Sequence, residues 1–307
     1  MVTDPLRYLI RRPWRVVPLP PDAVGIPTML SKVERRLLYS LARDYAGGDA
    51  GIVDAGCFLG GSTAALLAGV RDRPVPWTGP PVTSFDLFRV EAFTIPKFFP
   101  DDGSVQVGDS FRPRFDAHVA RFDLPHEVHE GDVTKIGWSG GPIDVLFLDV
   151  LKSWEINDAV LRDFFPSLVP GRSVIVHQDY GWGETPWIPV TVELLRDSLV
   201  LIDWMEWGSH VFLVERELPA DVLENGVGGL DLDAKLELME QAIARAEGWV
   251  RAMLEISRAT LVVERDGPQA ALAQLASIRE RYPQHGFALS CLDEVQAEIE
   301  RNLAAVP

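Results

Sequence analysis

The segment that most constrains the fold runs from Gly51 to Gly69. Gly51-Ile52-Val53-Asp54 is an apolar run that reads as a strand, and residues 62–69 (STAALLAG) read as a helix. Only Ala55-Gly56-Cys57-Phe58-Leu59-Gly60-Gly61 separate them. A strand that turns so quickly into a helix is the first half of a βαβ unit, because parallel strands need a helical crossover. Glycines in such a turn let a ligand approach the backbone with no Cβ in the way, and the helix N-terminus presents unpaired N–H groups. The glycines fall as G-x-x-x-G-G directly after Asp54 and Ala55. That is not the G-x-G-x-x-G that cradles a dinucleotide pyrophosphate.

The alternation continues downstream. Residues 82–86, 127–130, 143–149 and 173–177 read as strands, with helices over 155–168 and 189–199. Residues 199–202 and 210–214 read as two final strands, joined through Trp204-Met205-Glu206-Trp207-Gly208-Ser209 as an antiparallel edge. The expected fold is α/β: a doubly wound, mainly parallel Rossmann-like sheet with an antiparallel edge and a C-terminal helical appendage.

Residues 1–50 are expected to form an N-terminal arm and a cap helix. Residues 1–27 are rich in Pro and Arg and read as irregular, with Arg11, Arg12 and Arg15 on a solvated arm. Ser31 and Glu34 then form a capping box ahead of Val33, Leu37, Leu38, Leu41 and Ala42 at helical spacing. Residues 51–218 form the central α/β domain, and 219–307 a linker and helical tail. In the tail, Leu232, Leu236, Met239, Ile243, Ala246, Val250 and Met253 make one apolar stripe on a long helix, followed by helices near 268–281 and 288–304. The stripe is expected to pack on the tail's own helices, with a homodimer contact as the alternative.

Charge and cysteine content remove several classes. A formal net charge of −16 disfavours nucleic acid, whose phosphates require clustered Lys and Arg. The two cysteines, Cys57 and Cys291, form no CxxC pair, so a zinc knuckle or disulfide framework is not expected. The N-terminal residues lack the apolar core of a signal peptide, and no apolar stretch is long enough to cross a membrane. A cytoplasmic protein with a small-molecule partner is the expectation.

Two carboxylates extend the reading of the glycine turn. Asp86 ends the second strand, where an acidic residue offers two acceptor oxygens to a pair of ribose hydroxyls. Asp132 follows the third strand, where a carboxylate accepts from an adenine amino group. Acidic residues after successive strands, in this order, fit a nucleoside lying along the strand ends.

The segments GCFLGGST, TSFDLF, FLDVLKSWE and FFPSLVPGRSVIVHQDYGW resemble those of S-adenosylmethionine (SAM) dependent O-methyltransferases of the macrocin/novobiocin sugar-methylating type, over roughly residues 45–215. The resemblance implies a class I methyltransferase whose cofactor residues are Asp54, Gly56, Cys57, Phe58, Gly60, Gly61, Ser62, Asp86 and Asp132. It also implies a divalent cation, usually Mg2+, held by acidic residues after the fourth and fifth strands and lowering the pKa of a sugar hydroxyl. Asp149 and Asp179 match that pattern, whereas Gln178 stands where a second aspartate would be.

Two readings of the chemistry follow. In one, Asp149 and Asp179 hold a metal with help from Gln178 or His177. In the other no metal binds, and His177 is a general base suited by its ordinary pKa near 6.5. Trp154, Trp182 and Trp187 follow strand ends and suit stacking on a sugar or aromatic ring. Lys152 suits an acidic substrate group or the solvent. The expected function is methyl transfer to a hydroxyl of a glycosyl or other natural-product-like metabolite. A nicotinamide oxidoreductase and a non-catalytic scaffold that assembles through the tail are the alternatives.

Overall fold

The computed structural model describes residues 4–100, 103–205 and 208–304. The chain forms two compact units. The first contains residues 1–150, 163–178 and 200–217, and the second residues 151–162, 179–199 and 218–307.

The first unit is built on one sheet. Its strands are β1 (Gly51–Ala55), β2 (Val82–Asp86), β3 (His126–Glu130), β4 (Ile143–Leu148), β5 (Val174–His177), β6 (Leu199–Trp204) and β7 (His210–Val214). They lie in the order β3-β2-β1-β4-β5-β7-β6. β1 pairs in parallel with β2 and β4, β2 with β3, and β4 with β5, whereas β7 runs antiparallel to β5. The mainly parallel sheet and its antiparallel edge are as the sequence predicts; Glu206 and Trp207 of the connecting turn lie outside the described residues. Central strands β1 and β4 are buried at every position, which explains their mainly apolar character; the one carboxylate in each, Asp54 and Asp144, is hydrogen-bonded. β3 reads His-Glu-Val-His-Glu because it is an edge strand, where charge discourages pairing with another chain.

The helix Gly61–Arg71 packs on β1, β2 and the helix Lys32–Ser40. The capping box of the latter forms: the Glu34 N–H donates to Ser31 Oγ (3.3 Å) and the Ser31 N–H to Glu34 Oε2 (2.7 Å).

The N-terminal arm is more ordered than its composition suggests. Asp4 caps a helix over Pro5–Arg11, and short helical turns cover Pro13–Arg15 and Pro21–Val24. Two of its arginines, though exposed, are also tied to the fold. Arg12 donates to the Ile202 carbonyl (2.8 Å) and Arg15 to the Trp204 carbonyl (3.0 Å), while Arg15 and the Trp14 indole both hold the buried carboxylate of Asp203. The physical reason is that β6 is an edge strand, and the arm satisfies carbonyls that no neighbouring strand pairs.

In the second unit the segments that follow β4 and β5 associate with the helical tail. Helices Trp154–Asp163 and Trp187–Leu194 accompany Ala220–Asn225, Leu232–Arg245, Gly248–Asp266, Pro268–Arg281 and Gly286–Ala304. The stretch read as a linker holds the Ala220–Asn225 helix and is anchored by Asp158, whose carboxylate accepts from the Val227 N–H (2.8 Å) and Gly228 N–H (2.9 Å). The single long helix is two. It breaks at Ala246 and Glu247, both extended, and restarts at Gly248 with φ +56°. Leu236, Met239, Ile243, Val250 and Met253 of the stripe are buried within the chain itself. Leu232–Arg245 packs on Trp187–Leu194 and on Gly248–Asp266, which accounts for the burial of the stripe. Among the described residues no helix is long and apolar enough to cross a membrane.

Candidate functional site

The glycine turn sits at the carboxyl end of β1, at the sheet's centre. Gly56 has φ +97°, and a Cβ there would lie 2.7 Å from the Asp149 carbonyl. Only glycine lets the turn pass beneath the end of β4 in this way. Gly60, at φ +94°, is the N-cap of the helix that follows, and Gly61 lies against Thr28 so closely that a Cβ would be 2.3 Å from it. The contact brings the arm over the start of that helix.

Asp54 lies beneath the turn. Its Oδ2 accepts from Ser62 Oγ (2.8 Å) and Thr63 Oγ1 (2.5 Å), and Thr63 continues through Ser84 Oγ (3.1 Å) to His126 Nε2 (3.0 Å). Asp54 Oδ1 is buried with no hydrogen-bond partner. Burial pushes the Asp54 carboxyl up to about 7; the charge of Asp86 adds to this, and the two hydroxyls oppose it. Asp54 therefore acts by holding the turn from below. Cys57 is also buried, which raises its thiol pKa and keeps it unreactive.

Asp86 ties the turn to the end of β2. Its Oδ2 accepts from the Phe58 N–H (2.8 Å) and its Oδ1 from the Phe88 N–H (2.7 Å). Each oxygen keeps a second acceptor position. Burial raises its pKa, against these two backbone bonds. Phe58 itself has φ +45° and packs edge-on against Phe98 (4.9 Å) and Phe111 (5.3 Å), from the excursion after β2. Asp132 caps the short helix Val133–Ile136: Oδ1 accepts from the Thr134 N–H (3.0 Å) and hydroxyl (2.7 Å), and Oδ2 pairs with Lys135 (3.0 Å). The Thr134 hydroxyl, then Lys135, hold its carboxyl below the usual range.

Beyond β4 and β5 the expectations fare unevenly. Asp149 extends the pairing of β4 through its N–H to the Ala55 carbonyl (2.7 Å). His177 is 1% exposed between Phe165 and Phe212, and neither ring nitrogen has a hydrogen-bond partner. Burial, with His210 adding to it, pushes its pKa down to about 3. These surroundings suit a neutral packed histidine better than a base that exchanges protons with substrate. Gln178 Oε1 accepts from the Ser209 hydroxyl, which also lies 2.6 Å from Glu34 Oε1. In the second unit, Asp179 (φ +63°) pairs with Lys152 at 2.6 Å. Among the described residues no group of three or more His, Cys, Asp or Glu side chains is gathered as a metal site.

The tryptophans near these segments are in packing contacts. Trp154 meets Trp187 edge-on (5.9 Å) with the Lys235 ammonium 4.3 Å from its ring, and Trp187 donates to the Leu151 carbonyl (2.8 Å). Trp182 packs on Phe287 (5.7 Å). Sequence reasoning missed the Asp54–Thr63–Ser84–His126 chain, the contact of Thr28 with Gly61 and the Lys152–Asp179 pair. The first had a signal in the alternation of β2, where Ser84 and Phe85 must face opposite sides. The other two join residues far apart in sequence and had none.

No protein-family model and no curated protein matches the sequence. Among solved structures the chain is similar to cofactor-bound Rv0187 from MTB, at 18% identity over 70% of this chain and 91% of that one, with a TM-score of 0.44. It is also similar to CalS11, a TDP-rhamnose 3'-O-methyltransferase of calicheamicin biosynthesis (15% identity, 68% and 92% covered, TM-score 0.41). A third is the O-methyltransferase from Bacillus cereus in complex with SAH (16% identity, 70% and 93% covered, TM-score 0.40). Independently of these likenesses, the strand order, with β7 between β5 and β6 and antiparallel to β5, is a doubly wound, mainly parallel Rossmann-like sheet with an antiparallel edge.

Proposed function

We propose that the protein is a SAM-dependent methyltransferase acting on a hydroxyl of a small molecule, with a glycosyl or other natural-product-like metabolite as acceptor. The observation that carries the reading is the bond from the Phe58 N–H to Asp86 Oδ2. It joins the glycine turn and the carboxylate at the end of β2 into one preformed piece. The turn's chemistry suits the cofactor: Gly56 and Gly60 hold the backbone at positive φ at the end of β1, and Asp86 stands beside it as an acceptor.

SAM supplies a methyl group on a positively charged sulfur, a good leaving group, so the protein's task is chiefly positioning. In this reading the turn from Gly56 to Ser62 receives the amino-acid portion, and Asp86 offers its second acceptor positions to the ribose hydroxyls. Asp132 and its turn receive the adenine. Asp54 keeps Ser62 and Thr63 in register beneath.

Calorimetry with S-adenosylhomocysteine tests the proposal. Binding in the micromolar range is expected, weakened at least tenfold, about 1.4 kcal/mol, by Asp86→Ala. Absence of binding at millimolar ligand would reject it.

A further inference from the structure

The family resemblance calls for a divalent cation held through Asp149, Asp179 and a carboxylate at position 178, and the side chains present do not fit it. Position 178 is a glutamine whose Oε1 accepts a hydrogen bond from Ser209, beside Glu34. That amide oxygen is held within the first unit's own network. Asp179 has its countercharge: Lys152 Nζ donates to its Oδ2 at 2.6 Å. The direction of Asp179 is set by its turn. Its backbone is left-handed at φ +63°, and its carbonyl accepts from the Trp182 N–H (2.9 Å) and Thr185 Oγ1 (2.7 Å). A divalent cation on the same carboxylate would face the positive charge of the ammonium already bound there.

We propose that the Lys152 ammonium takes the place of the divalent cation: it neutralises Asp179 through their 2.6 Å contact, so that this chain works without a metal there. The inference takes its metal expectation from the methyltransferase reading, but its cation test does not depend on that reading. Lys152 lies four residues beyond β4 and Asp179 two residues beyond β5, and both belong to the second unit.

Manganese titration of the full chain, followed by electron paramagnetic resonance with S-adenosylhomocysteine present, tests the cation. The wild type is expected to show no saturable site up to about 1 mM Mn2+. Lys152→Gln is expected to bind Mn2+ at least tenfold more tightly than the wild type, and the double variant with Asp179→Asn to lose that gain. Lys152→Arg is expected to keep the cation out. Asparagine tolerates the left-handed backbone at 179, and Lys152 is exposed, so thermal melts of all variants are expected to match the wild type. Saturable wild-type binding that Asp179→Asn abolishes would overturn the proposal, as would Lys152→Gln binding Mn2+ no better than the wild type. With a hydroxylated acceptor, EDTA is expected to leave turnover unchanged. If no variant binds S-adenosylhomocysteine, the methyltransferase reading fails while the Mn2+ result still decides the cation.

Discussion

At Gly56 two constraints coincide, a backbone at φ +97° and a β-position 2.7 Å from the Asp149 carbonyl. Gly56→Ala is therefore expected to cost roughly 2–5 kcal/mol, the sum of backbone strain and overpacking. Urea unfolding measures it, and a midpoint equal to the wild type's would contradict the packing described. His177 makes a pH prediction. Its folded pKa of about 3 lies below the ordinary 6.5, so the folded protein binds fewer protons than the unfolded chain. Its contribution is fully present above pH 6.5 and is lost as pH falls below that, by about 1.4 kcal/mol per pH unit down to about pH 3. His177→Leu should flatten the loss of Tm between pH 7 and pH 5; melts that fall as steeply as the wild type's would show that His177 is not the sensitive group. The presence of a histidine before Gln178-Asp179-Tyr180 was legible in the sequence, but its environment was not. Burial depends on Phe165 and Phe212, which lie on other segments.

Among the elements, strands and helices with a strong hydrophobic period were legible. β1, β2, β4 and β5 lie where the sequence places them, because buried parallel strands are short, apolar-rich segments bounded by turns. Ser31 and Glu34 marked a helix start because a capping box is local chemistry. Two elements were not legible. The Pro-rich arm gains its order from contacts with β6, about 190 residues away. The helix break at Ala246–Glu247 leaves the apolar period running across it, so the stripe alone could not reveal it. Replacing Arg12 and Arg15 together by alanine should lower stability by about 1–3 kcal/mol, since both arginines are partly solvated but Asp203 is not. Light scattering on heating should also show earlier aggregation through the uncovered β6 edge; unchanged melting and scattering would mean that the arm protects nothing.

For the whole molecule, the tail reads in sequence as an appendage beyond residue 218. In the structure residues 151–162 and 179–199 join it in one unit. Asp158 holds the backbone of Val227 and Gly228, and Glu193 pairs with Arg245 at 3.1 Å. A chain truncated after 218 would strip those segments of their packing partners, and is expected to be aggregated or to lack a cooperative thermal transition. A soluble truncated chain that melts as sharply as the full protein would show the tail to be separable. By itself the sequence determined the α/β class, the glycine turn and the carboxylates at strand ends, since these follow from periodicity and spacing within a few residues. Only the tertiary structure decided what each polar group faces: Asp54 under the turn, Asp86 on the Phe58 amide, Gln178 on Ser209, Lys152 on Asp179. The reason is physical. Propensity and hydrophobic pattern are local properties of the chain, whereas burial and hydrogen-bond partnership are set by residues that meet only after folding.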